Sequence, residues 1–134
     1  MSDFVKNAEN APKGLLAAEA AGLRWLAEPQ VVPVVEVLEE EKDSLRLARL
    51  TSVPPTAEAA RALGEGLARL HDAGAPSFGW PPAPTAWFGP LESPFAVESP
   101  ERGDFARYWA DDRLRPVADA VHRALGADGH DTVD

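Results

Sequence analysis

Phe4-Val5-Lys6 and, one polar connector later, Ala18-Glu19-Ala20-Ala21-Gly22-Leu23 are the stretches on which the fold turns. The first is a very short apolar run ending in a lysine, which predicts the end of a strand. The second lies in Leu15–Ala27, which reads as a helix because Leu16, Ala20, Leu23 and Ala27 recur at helical spacing and make one apolar face. Glu19 lies three residues after Leu16 and four before Leu23, so it projects near that face. A half-buried carboxylate needs a partner. Lys6 is the candidate, since Asn7 to Gly14 is polar and contains Pro12 and Gly14, which can turn the chain back on itself. The residues alone leave two readings open: an ion pair joining strand to helix, or two solvated charges, the common fate of Lys and Glu.

Beyond the helix, Val31 to Leu38 is valine-rich and predicts a strand, with Pro33 pushing its ladder to Val34–Leu38 or onto a sheet edge. Glu39 to Ser44, with its run Glu39-Glu40-Glu41-Lys42-Asp43, reads as an exposed turn. In the segment after it, Leu45, Leu47 and Arg49 face one way and Arg46, Ala48 and Leu50 the other, which predicts an antiparallel hairpin. Thr56 follows Pro54-Pro55 and is placed to cap a helix running to Asp72. Ala60, Leu63, Leu67 and Leu70 form its apolar stripe, and Gly74 supplies a stop. Gly64 and Gly66 each weaken a helix interior by roughly 1 kcal/mol relative to alanine, so close packing is expected at both. His71, at the helix end, complements the helix dipole when protonated and reads as structural.

Asp72 to Asp104 holds seven of the chain's 13 prolines. It also holds Phe78, Trp80, Trp87, Phe88 and Phe95, so this proline-stiffened loop is expected to dock on the helices. Asp104 is placed to cap a helix through Leu114 with Phe105, Tyr108 and Trp109 on one side. Arg113 and Arg115 are interleaved with acids and read as a solvated helix end rather than a phosphate clamp. Asp111 and Asp112 are adjacent, so their side chains diverge on a helix instead of converging as a catalytic pair. Pro116 fits the first turn of a further helix containing Val117, Val121, Ala124 and Leu125, ended by Gly126. Residues 127–134 read as a disordered polar tail.

The 134 residues, 45% of them hydrophobic, suffice for a real core. The absence of cysteine removes disulfides, thiolate nucleophiles and cysteine-based zinc sites. No apolar run reaches the length of a membrane span and no signal-peptide pattern opens the chain, so no membrane association is expected and the location is read as cytoplasmic. A net charge of −9 disfavours nucleic acid as a partner, because neutralising phosphates requires a basic surface.

Taken in order, Phe-Val-Lys at 4–6, Glu-Ala-Ala-Gly-Leu-Arg-Trp-Leu-Ala at 19–27, Val-Pro-Val-Val at 32–35, Leu63-Gly64-Glu65-Gly66-Leu67-Ala68-Arg69-Leu70-His71, Phe78-Gly79-Trp80 and Arg113-Leu114-Arg115-Pro116 resemble the fructosamine kinase (ketosamine kinase) family. These are relatives of aminoglycoside and choline kinases. The resemblance runs from Phe4 to Leu125. It implies an α+β, protein-kinase-like fold of two lobes and an ATP- and magnesium-dependent transfer of phosphate to the sugar of ketosamines, including glycated lysine side chains. By the same resemblance Lys6 matches the phosphate-contacting lysine and Glu19 its helix partner. The backbone around Ala48 and Leu50 matches the hinge that hydrogen-bonds adenine, although the family often has an acidic residue where Ala48 stands.

The sequence departs from the family pattern in three places. Only three residues precede Phe4, so the strands and glycine-containing loop that cover the nucleotide phosphates have no counterpart. Nothing after Pro116 matches the family's His-Gly-Asp-Leu-Trp catalytic segment or its magnesium-binding aspartate; His130-Asp131 lacks the intervening glycine. Phe88-Gly89-Pro90-Leu91-Glu92-Ser93 replaces a polar Gln- and Asn-containing pattern in the loop that approaches the sugar. The expectation is therefore a truncated kinase-like unit: a partial amino-terminal lobe over 1–54, a partial helical carboxy-terminal lobe over 55–126 and a tail over 127–134. No catalytic or metal-binding residue is assigned, the chain alone is expected to be inactive, and its uncovered apolar faces are expected to make it self-associate. The alternative is a small non-catalytic binding or regulatory domain on the same scaffold.

Overall fold

The computed structural model describes residues 3–9, 11–91, 93–97 and 101–125. The elements are β1 (Asp3–Asn7), α1 (Leu15–Ala27), β2 (Val37–Glu40), β3 (Ser44–Ala48), α2 (Ala57–Ala73), β4 (Ala86–Phe88), β5 (Phe95–Val97), α3 (Phe105–Trp109), a π-helical segment (Ala110–Leu114) and α4 (Arg115–Leu125). β1, β3 and β2 form an antiparallel sheet in that order, and β4 and β5 form a separate antiparallel pair.

Alternation along β3 decides where the core sits. Leu45 and Leu47 point to one face and are buried, while Arg46 points to the other. α1 covers the first face, and its Leu15, Leu16 and Ala20 close the core around Leu45, which is fully buried. On the far face Arg46 pairs with its cross-strand neighbour Glu39 at 2.8 Å. α1 begins at Gly14, whose φ of 87° suits a residue without a side chain, and spans the predicted Leu15–Ala27.

β2 starts later and runs further than expected, taking in Glu39 and Glu40. Charged partners draw these two acids into the strand, Arg46 for Glu39 and Arg24, at 2.6 Å, for Glu40. The turn shrinks to residues 41–43, closed by the Glu41 N–H donating to the Ser44 carbonyl at 2.9 Å.

Thr56 caps α2 by accepting from the Ala59 N–H at 3.1 Å, and Gly74 with φ 70° ends it. The two glycines of α2 differ. A Cβ on Gly66 would lie 3.2 Å from the Val31 carbonyl oxygen and 3.3 Å from the Val32 side chain, whereas one on Gly64 would meet open space. Close packing thus explains Gly66 and leaves Gly64 without a structural reason. The predicted stripe of α2 is covered only at its end: Leu70 is half-buried, while Leu63 is 52% and Leu67 40% exposed.

The proline-rich stretch docks as expected and also forms structure that its composition concealed. Trp80 packs on Trp25 with ring centres 5.1 Å apart, Phe78 on Phe105 at 5.5 Å, and Trp87 lies against the core. Gly89, with φ 92°, lets the chain turn after β4, and Phe88 and Phe95 stack across the β4–β5 pair at 6.2 Å.

Asp104 caps α3 by accepting from the Arg107 N–H at 2.8 Å. No break separates α3 from α4. A proline inside a helix clashes with the carbonyl four residues back, and the widened π turn ahead of Pro116 relieves that conflict. Gly126, the tail 127–134 and His130-Asp131 lie outside the described residues.

Candidate functional site

Directly opposed residues of antiparallel strands share a face, and the register pairs Lys6 with Leu45. Lys6 therefore points to the side of the sheet that α1 covers. Its Nζ donates to Glu19 Oε1 at 2.9 Å and to Oε2 at 2.7 Å. Both side chains are half-buried, 28% and 31% exposed. An ammonium has three N–H donors, so one remains for an anion.

The pair opens onto a cleft of about 750 Å³ whose walls come from α1, residues 75–91, Tyr108 and Arg113. Arg113 is thus not the solvated helix end its acidic neighbours suggested. It is partly buried, its Nε donates to the Tyr108 hydroxyl at 2.7 Å, and its guanidinium sits 4.9 Å from the Tyr108 ring centre and 5.3 Å from that of Phe88. Arg115 is exposed as expected and pairs with Asp111. Asp112 instead turns inward to Arg102, with contacts of 2.9 and 3.1 Å, so the two aspartates diverge. The Arg102 hydrogen bond holds the Asp112 carboxyl below the usual carboxylate range, outweighing the opposing effect of burial.

The hinge candidates lie apart from this cleft. Ala48 ends β3 with its N–H donating to the Glu36 carbonyl at 2.9 Å, and Leu50 is 75% exposed; neither lines the cleft. His71 is exposed near the end of α2, its carbonyl accepting from the Gly74 N–H at 3.1 Å. Among the described residues no three His, Asp or Glu side chains converge as a metal site. The place of Arg113 escapes sequence reading because Tyr108 and Arg113 are five residues apart. In an α-helix that spacing leaves the shared face, and the wider π turn brings it back.

A sheet lysine held by a helix carboxylate, with helices following a short three-stranded sheet, defines a protein-kinase-like fold. The chain belongs to the fructosamine kinase family, whose model matches residues 2–132. It is similar to a solved structure from Thermobifida fusca assigned as a fructosamine-3-kinase, with 33% identity and a TM-score of 0.77 over 94% of this chain and 43% of that one. The chain therefore spans less than half the length of that relative. No curated protein matches it.

Proposed function

We propose that these residues form the nucleotide-positioning part of an ATP-dependent ketosamine kinase acting on a small-molecule or glycated-amine substrate in the cytoplasm. One lobe ends near residue 54 and the next runs to about 126. The Lys6–Glu19 pair carries this reading: the carboxylate holds the ammonium in place and leaves one donor for a phosphate oxygen. The donor set fits a phosphate, and Lys6 would hold it. ATP when bound supplies the transferable phosphoryl group. Leu50, with Ala48 beside it, would offer backbone to adenine; the Ala48 N–H is already used, which leaves its carbonyl and the Leu50 backbone for that role.

Magnesium finds no convergent ligand set among the described residues, and this part of the chain is assigned no step through it. Positioning without a catalytic aspartate lacks the main terms that lower a phosphoryl-transfer barrier. The 134 residues alone are therefore expected to bind nucleotide without turning over a ketosamine. Calorimetric titration with ATP tests the first half, with binding expected for the unmutated chain and lost in Lys6→Met. Mass spectrometry of fructose-lysine incubated with ATP and the chain tests the second. Phosphorylation that disappears in Lys6→Met would show a competent enzyme, and a folded chain that binds no nucleotide would favour the non-catalytic binding domain.

A further inference from the structure

The carboxy-terminal ends of α1 and α2, helices of 13 and 17 residues, line one recess of about 500 Å³. It adjoins the cleft, since Trp25 and Ala75 line both, but Lys6 and Glu19 take no part in it. A volume of this size suits a small molecule.

The last carbonyls of a helix carry partial negative charge and lie at its end, so two carboxy termini at one recess favour a cation there. The side chains agree. Glu28 and His71 are the ionisable residues of the lining, which holds no lysine or arginine. Among the described residues no basic side chain pairs with the Glu28 carboxylate. Arg24, the basic residue in the last turn of α1, is held by Glu40 at 2.6 Å and leaves this end of the helix unneutralised. A neutral imidazole at His71 adds a nitrogen acceptor.

The rest of the wall decides what kind of cation fits. A bare metal ion needs several converging oxygen or nitrogen ligands, and no three His, Asp or Glu side chains converge among the described residues. Leu26, Pro29 and Leu70 instead offer an apolar surface, and Trp25 brings an indole, the best ring partner for an organic cation. We infer that this recess binds a small alkylammonium, with its charged head at Glu28 and the helix ends and its hydrocarbon body against Leu26, Pro29 and Leu70. The inference goes beyond the nucleotide reading and does not depend on it.

The test titrates the 134-residue chain with cyclohexylmethylammonium and with cyclohexylmethanol, an uncharged molecule of similar shape, while the indole ¹H–¹⁵N signals of its four tryptophans are followed. The Trp25 signal is identified by its loss in Trp25→Phe. The ammonium is expected to move that signal and to bind at least about tenfold more tightly than the alcohol. Glu28→Gln should weaken the ammonium by about threefold or more and leave the alcohol unchanged. Glu28 is exposed at a helix end, so this variant keeps the fold, and a thermal melt checks that. Equal affinities for the two probes overturn the inference, as does an ammonium affinity unchanged in Glu28→Gln or a lack of binding by the unmutated chain. Shifts that spare Trp25 would put the ammonium elsewhere and overturn it as well. None of these results bears on the nucleotide reading, whose test turns on Lys6.

Discussion

In residues 3–48, Leu45 is fully buried and Leu15, Leu16, Ala20 and Leu47 close around it; in residues 57–125, Leu63, Val117 and Val121 stand 52, 43 and 44% exposed on helices patterned just as regularly. Both regions contain helices with apolar stripes, and the side-chain caps, Thr56 and Asp104, belong to the second. The difference is a second layer. α1 lies on a sheet whose inward face matches it, whereas the stripes of α2 and of the α3–α4 helix meet no comparable layer among the described residues. A stripe is enough to make a helix amphipathic, and burial requires a facing element. In the second region aromatic pairs and polar ties replace a core, and among its described residues Val97 is the one hydrophobic side chain that is buried.

The largest expected effect probes this contrast directly. Leu45→Ala should cost about 2–5 kcal/mol, because it empties a fully enclosed site. Leu63→Ala should stay within about 0.5 kcal/mol, as for other surface changes. Urea denaturation of both variants measures it, and equal costs would mean that the second region is packed as tightly as the first.

A smaller effect is expected at the pair that joins sheet to helix. Glu19→Ala strands a half-buried ammonium and should destabilise by about 1–2 kcal/mol, between the values for exposed and enclosed pairs. Glu28→Ala, at the exposed end of α1, should change little. The double variant Lys6→Met with Glu19→Leu should recover much of the loss, since it removes both charges and keeps apolar bulk. Equal and negligible effects of the two single glutamate changes would show that the Lys6–Glu19 contact adds nothing to the first region.

The smallest effect tests a polar tie of the second region and depends on pH. Asp112 has its pKa lowered in the folded chain by Arg102, so its contribution is complete above the unfolded value of about 3.9 and is lost as pH falls through the lower folded value. Asp112→Asn should therefore be less stable than the unmutated chain near neutrality, and the gap should narrow on acidification below about pH 4. Thermal melts across that range decide it. A gap of constant size would mean that Asp112 stabilises the fold by something other than its charge.

Local signals were legible in residue order wherever a few neighbours carry them. Thr56, Gly74 and Asp104 mark helix ends through their own side chains or backbone freedom, and Leu45 and Leu47 announce a half-buried strand by alternation. Misreadings arose where a distant partner overrides local character. Glu39 and Glu40 look like turn residues until Arg46 and Arg24 are brought beside them. The short strands Ala86–Phe88 and Phe95–Val97 are hidden among prolines, because each exists only by pairing with the other.

The candidate site divides along the same line. Sequence by itself determined that Lys6 ends an apolar stretch, that Glu19 rides near the apolar face of a helix and that the chain follows the order of fructosamine kinase fragments, because periodicity and residue type are properties of neighbours. Tertiary structure alone decided that Lys6 and Glu19 meet, since strand register sets which face a side chain takes. It alone put Arg113 beside Tyr108 and Phe88 in the same cleft, since a π turn changes which residues share a helix face. Both outcomes depend on contacts between segments far apart in the chain or on a local departure from helical period, and neither is encoded in the spacing of residue types.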